Sequence, residues 1–348
     1  MEQYGVLIVD DSAFMRRAIG LLFKHDPQFY IVGIASSGEE ALEKIERFKP
    51  DVVILDPGMR GIDCIEALRL IMKKNPVPVV MLGNRSGDTS SAASMAIELG
   101  AVDFFYKGEL LSEAVPPGMI QDFLKRVKAA AQASIIKPPD ARPVRKHHLP
   151  VDKENEGHKA ALVVIGCSTG GPPALLSILP LLPATFAPPV LVVQHLPPGY
   201  TKPLTDRFNR FCRLRVKEAE HGERLCSGCI YVAPSGFQTV LHRQPDGSVS
   251  VTIETGMPDE ALYRPSVDEV LYSAAPIYGD RLLAVILTGT GMDGLNGCRE
   301  VKKNGGQVLV EAEPSCSFYE TPKAVYEAGL ADRCALLPNI MQHIISYC

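Results

Sequence analysis

With 348 residues, 46% hydrophobic and 22% charged, the chain has the make-up of a soluble globular protein and enough length for two ordinary domains. A formal net charge of −4 argues against a nucleic-acid partner held by a broad basic face. No apolar run approaches the roughly 18 residues that cross a membrane, and MEQYGVLIVDD has no basic segment leading into a long apolar one, so neither membrane insertion nor secretion is expected and the expected compartment is the cytoplasm.

From the start, β-rich apolar runs (GVLIVD, YIVGIAS, DVVILD, VPVVML, VDFFYK) alternate with amphipathic stretches such as SGEEALEKIERF. The alternation predicts a five-stranded parallel sheet with helices on both faces, closed by a helix near 116–133. Asp10 and Asp11 end the first run, Asp56 the third and Lys107 the fifth, and in an open parallel sheet those ends share the rim where ligands bind. Carboxylates that close repel unless a cation joins them; oxygen ligands with room for water suit Mg²⁺, and Lys107 could neutralise a phosphoryl group on Asp56. Any one of these residues alone reads equally as a helix cap or a solvated turn; all four at strand ends do not.

VLIVDDSAFMRRAI, DVVILD and Lys107 together resemble the receiver domains of response regulators, over about residues 4–130. The resemblance implies phosphorylation of Asp56 by a histidine kinase, with Mg²⁺ held by Asp10, Asp11, Asp56 and the Gly58 carbonyl. Several positions depart from the family pattern: Arg60 stands where proline follows Met59, Cys64 where glycine is usual, and Gly108 where proline follows the lysine. Gly83 occupies the end of the fourth strand, where a Ser or Thr hydroxyl normally contacts the phosphoryl group, leaving Asn84 or Ser86 as substitutes. Phosphorylation is expected; the usual readout lacks its hydroxyl.

Residues 134–160, with four prolines, many charges and no apolar period, read as a linker. The expected division is a receiver over 1–130, a linker over 131–158 and a second domain over 159–348. A second alternation (ALVVIGC, PPVLVVQHL, RLLAVILTG, GQVLVEA) predicts another doubly wound parallel α/β unit, interrupted over about 229–254 by an antiparallel hairpin or meander. Nine cysteines, an odd count, fit reduced thiols rather than a disulfide framework. Cys226 and Cys229 alone have ligand-like spacing; with no second pair, a turn between strands is the simpler reading.

Ser168 follows ALVVIG in Gly166-Cys-Ser-Thr-Gly170, which fits the G-x-S-x-G strand-to-helix turn and fails both the dinucleotide and P-loop patterns. By itself it fits a nucleophile, a helix cap or an anion site. A serine nucleophile needs a base, and His195 ends the next long apolar run; Asp293, in the glycine-rich turn of VILTGTGMDGLNG, could orient the imidazole or merely cap the following helix. Three such residues after three strands suggest a Ser-His-Asp triad, in an order that is not the Ser-acid-His of ordinary α/β-hydrolases.

That order, with IGCSTGG, QHLPPG, RPSVD and LTGTGMDG, resembles the chemotaxis protein-glutamate methylesterase family, CheB, over roughly residues 160–340. The resemblance implies Ser168 as nucleophile, His195 as general acid/base, Asp293 as orienting carboxylate, and backbone N–H groups of Thr169 and Thr290 at the oxyanion, with no cofactor for the ester reaction. It also implies methyl-accepting chemoreceptors as substrates, glutamine deamidation as a second reaction, and a receiver that covers the esterase rim until phosphorylated. Thr290 stands where the family has methionine, and Cys167 where alanine is expected; Arg264 fits a substrate contact or a structural ion pair equally. The competing readings are a hydrolase of another small ester or amide, a phosphorylation-controlled binding module, and, more weakly, a transcription factor.

Overall fold

The computed structural model describes residues 3–59, 64–84, 95–96, 99–111, 115, 118–132, 160–255 and 263–348. The chain divides into two compact units, Met1–Pro138 and Pro139–Cys348. In the first, β1 (Tyr4–Val9), β2 (Phe29–Ala35), β3 (Val52–Leu55), β4 (Val79–Gly83) and β5 (Asp103–Tyr106) form one parallel sheet in the order β2-β1-β3-β4-β5. β1, β3 and β4 are buried along their whole length, which is why they read as unbroken apolar runs. The chain passes from β1 outward to β2 and then back across to β3, so the strand order reverses at β1/β3 and opens a crevice at their C-terminal ends. Ser12 and Ser37 cap the helices Ala13–Leu22 and Gly38–Phe48 through the N–H groups of Met15 and Glu40. The closing helix is Met119–Gln132, running to the last described residue before 133–159; the expected linker core lies outside the described residues.

The second unit is built on seven parallel strands in the order β14-β13-β12-β6-β7-β9-β8. These are β6 (Leu162–Cys167), β7 (Val190–Gln194), β8 (Arg215–Glu218), β9 (Cys229–Val232), β12 (Leu282–Ile286), β13 (Gln307–Glu311) and β14 (Arg333–Ala335). The remaining two, β10 (Gln238–Arg243) and β11 (Val249–Glu254), pair antiparallel as a separate hairpin. The expected insertion is therefore shorter than its sequence suggests: Cys229–Val232 runs parallel to β7 and β8 inside the main sheet, and only the stretch from Gln238 is hairpin. Cys226 and Cys229 flank a turn leading into β9. Apolar side chains of β6, β7 and β12, including Val164, Val193 and Ala284, pack with Val270 and Leu271 of the helix Val267–Tyr278 into the core. β6 lies between β12 and β7, so the segments leaving these three strands emerge side by side.

Candidate functional site

On the rim of the first sheet Asp10, Asp56 and Lys107 meet. The Lys107 ammonium lies 2.6 Å from Asp10 Oδ2 and 2.8 Å from Asp56 Oδ2, with all three side chains buried. Asp10 Oδ1 accepts the Ser12 N–H at 2.9 Å, and Asp56 Oδ1 accepts the Gly58 N–H at 3.0 Å. Burial pushes the Asp56 carboxyl above its ordinary range, against the opposing pull of Lys107 and the Gly58 N–H. Asp11 is exposed, and one oxygen from each of Asp10, Asp11 and Asp56 falls within 4.8 Å of the others. Opposed ligands of Mg²⁺ sit about 4.2 Å apart, and among the described residues the buried Asp10 Oδ2 is answered by the Lys107 ammonium alone. These donors fit the ion. Gly83 ends β4 opposite Tyr106 with no hydroxyl to offer; Asn84 beside it is exposed. Gly108 is exposed, whereas Arg60 and Ser86 lie outside the described residues.

In the second unit Ser168, His195 and Asp293 follow β6, β7 and β12, three adjacent parallel strands, as the strand-end pattern predicts. Ser168 and Asp293 are buried, and His195 Nε2 lies 2.7 Å from Asp293 Oδ2. The imidazole therefore turns Nε2 to the acid and leaves Nδ1 as a buried nitrogen without a hydrogen-bond partner among the described residues, the reverse of the arrangement in which Nδ1 meets the carboxylate. Asp293 is held by more than the ring. Oδ1 accepts the Ser266 hydroxyl at 2.8 Å and the Asp268 N–H at 3.0 Å, and Oδ2 also accepts the Val267 N–H at 2.6 Å. Burial raises the cost of its charge, but the His195 bond and the N–H groups outweigh that and hold the carboxyl below its usual range.

Thr169 and Thr290 come together, their Oγ1 atoms 3.3 Å apart. In the turn after β12 the Gly289 N–H is taken by the Phe318 carbonyl and the Gly291 N–H by Glu320, while no hydrogen bond among the described residues takes the Thr290 N–H. The Ser168 N–H is spent on the Thr288 carbonyl at 3.1 Å. Gly170 stands at φ +80° with Ser317 so close that a Cβ would come within 2.6 Å of it, so both backbone and space demand glycine after the Ser168-Thr169 pair.

Two contributors escape a reading of the sequence. Tyr263 stacks on the His195 ring, centroids 4.3 Å apart and planes within 13°, and covers one face of the imidazole. Ser266 does double duty, capping the helix Val267–Tyr278 through the Glu269 N–H while donating to Asp293. The S-x-x-E spacing of Ser266 and Glu269 signals a helix start; nothing in the spacing says that this start is aimed at Asp293. Arg264 offers its carbonyl to the Gly236 N–H. Among the described residues, Cys226 and Cys229 belong to no cluster of three metal-ligating side chains, and no helix is long and apolar enough to cross a membrane.

Residues 163–344 match the CheB methylesterase family model and residues 6–115 the response regulator receiver domain model. A protein-glutamate methylesterase/protein-glutamine glutaminase of Lawsonia intracellularis is 38% identical over 98% of both chains, and one of Thermotoga maritima 39% identical over 94% of this chain and 93% of its own. The crystal structure of the Thermotoga maritima CheB methylesterase catalytic domain, 42% identical, superimposes with a TM-score of 0.52 over 55% of this chain and all of its own. The strand-end site after β6, β7 and β12 thus lies within the matched region of a chain that belongs to the CheB methylesterase family, with a response regulator receiver domain at its N-terminal side.

Proposed function

We propose that this chain hydrolyses glutamate γ-methyl esters on methyl-accepting chemoreceptors, and deamidates receptor glutamines by the same acyl chemistry, under control of phosphorylation at Asp56. The observation that carries the reading is the His195–Asp293 hydrogen bond, 2.7 Å long, between segments that leave the two strands flanking β6, after which Ser168 follows.

Ser168 Oγ attacks the ester carbonyl while His195 Nδ1, the ring nitrogen with no hydrogen-bond partner among the described residues, takes the hydroxyl proton. Asp293 stabilises the resulting imidazolium through Nε2, and the N–H groups of Thr290 and Thr169 receive the charge on the carbonyl oxygen. Collapse of the intermediate expels the alkoxide, His195 returns the proton, and methanol leaves. A water deprotonated by the same ring then cleaves the acyl-serine to glutamate. With a glutamine substrate ammonia leaves in place of methanol. Every proton in this cycle passes through Ser168, His195 and water, so the ester reaction calls on no cofactor.

In the receiver an Asp56 oxygen attacks the phosphorus of a phosphohistidine on a histidine kinase, the P–N bond breaks as the kinase imidazole leaves, and Lys107 balances the charge gained on the acyl phosphate. Asp10, Asp11, Asp56 and the Gly58 carbonyl are the ligands proposed for Mg²⁺, which when bound neutralises phosphoryl oxygens. The working boundaries are a receiver over 1–130, a linker over 131–158 and a catalytic domain over 159–348.

Methanol release from membranes carrying methylated chemoreceptors tests both parts. Wild type releases methanol faster with a small-molecule phosphodonor, Asp56→Asn keeps the basal rate and does not respond, and Ser168→Ala releases none. Retained release by Ser168→Ala eliminates the nucleophile and favours a binding module.

A further inference from the structure

Gln194 closes β7 opposite Cys167, the last residue of β6, and is 1% exposed. Its amide spans the two strand ends. Nε2 donates to the Ser168 carbonyl at 2.8 Å and to the His195 carbonyl at 2.9 Å, and Oε1 accepts from the Cys167 thiol at 3.0 Å. The amide's orientation follows from its partners: two carbonyls can only accept, so the nitrogen must face them, and the thiol supplies the remaining donor. Burial pushes the Cys167 thiol up, which keeps it protonated for that task. Gly171 completes the fit. A Cβ there would lie 2.0 Å from Gln194 Oε1 and 3.0 Å from Cys167 Cβ, so the glycine leaves the room that the amide occupies.

We infer that Gln194 is a positioning residue that fixes the spacing between Ser168 and His195 by tying both backbones to one side-chain nitrogen. The inference rests on the proposed nucleophile and base. The nucleophile hangs from the residue after β6 and the base from the residue after β7, and the ladder between these strands ends at Cys167 and Gln194. Beyond it, besides the His195 N–H on the Cys167 carbonyl at 3.1 Å, the Gln194 amide is the link that reaches both residues. Its partners are carbonyls of the reacting residues, not substrate atoms, so its loss acts on the geometry of proton transfer and spares ester binding.

The test uses the full chain and methanol release, with wild type and Ser168→Ala as the reference pair. If those two are equal, the nucleophile assignment fails, independently of Gln194. With that assignment standing, Gln194→Met keeps the volume and removes both donors; kcat is expected to fall by about 10²-fold, the cost of a misplacement of about 1 Å, with KM unchanged. Gly171→Ala is expected to lower kcat in the same way by displacing the amide. In a Gln194→Ala background, where the clash with the amide is gone and the 3.0 Å approach to Cys167 Cβ remains, adding Gly171→Ala lowers kcat by a smaller factor than it does in wild type. This cycle decides the matter even if Gln194→Met folds poorly. A wild-type kcat for Gln194→Met, a loss confined to KM, or losses from Gly171→Ala and Gln194→Ala that simply multiply would each overturn the inference.

Discussion

Asp293 is the residue on which most of the proposed chemistry converges, because it answers four donors with two oxygens. Asp293→Asn puts an amide where one oxygen must accept, so turnover should fall by about 10⁴-fold with the fold retained; steady-state methanol release checks it. The same carboxyl is held below its ordinary range, so its folded form loses its proton more readily than its unfolded form. Its stabilisation is complete above the unfolded value and disappears as pH falls through the folded one, so the advantage of wild type over Asp293→Asn in denaturant should shrink only below about pH 4. Asp56 has the opposite sign. Burial raises its carboxyl, so the charged form is a burden to the folded receiver at neutral pH, and Asp56→Asn should melt at or above the wild-type temperature. A lower melting temperature would mean that attraction to Lys107 exceeds the desolvation cost.

Among the elements, the helix Val267–Tyr278 matters most, since its first turn holds Asp293 through Ser266, Val267 and Asp268. Ser266→Ala removes the cap and one Asp293 donor together and should cost about 1 kcal/mol in a chemical-denaturation experiment, with a parallel fall in kcat. How far elements can be read from sequence depends on their place in a sheet. β1, β3, β6, β7 and β12, buried along their length, are legible as apolar runs, and so are the site residues at their ends. β8 (RVKE) and β14 (RCA) are short, partly exposed sheet edges whose sequences carry no strand signal, and β9, only four residues long and followed by a Pro-Ser-Gly turn, passes for a hairpin arm until its parallel partners are seen. The turned imidazole of His195, the Tyr263 stack and the Gln194 bridge depend on side chains meeting across the fold, and no spacing encodes them.

At the level of the whole molecule, the proposed regulation makes one quantity decisive, the rate of the catalytic domain without its receiver. The matched Thermotoga maritima catalytic domain was crystallised as a chain covered over its full length by this part of the protein, so a fragment from about residue 157 is a fair reagent. If the unphosphorylated receiver restrains the esterase, the fragment should release methanol faster than the intact unphosphorylated chain; a slower fragment would refute restraint. Gly83 bears on the same comparison, because a receiver with no hydroxyl at that strand end must pass on phosphorylation through other groups.

Lys107, set between Asp10 and Asp56, has a consequence for a cell short of magnesium. The ammonium already offsets part of the charge that the proposed divalent ion would offset, so removing that ion with a chelator should leave the receiver's melting temperature little changed while it slows phosphate transfer to Asp56. On that proposed site, scarcity of the metal would silence the response while leaving the folded protein in place, and resupply would restore signalling from the existing pool.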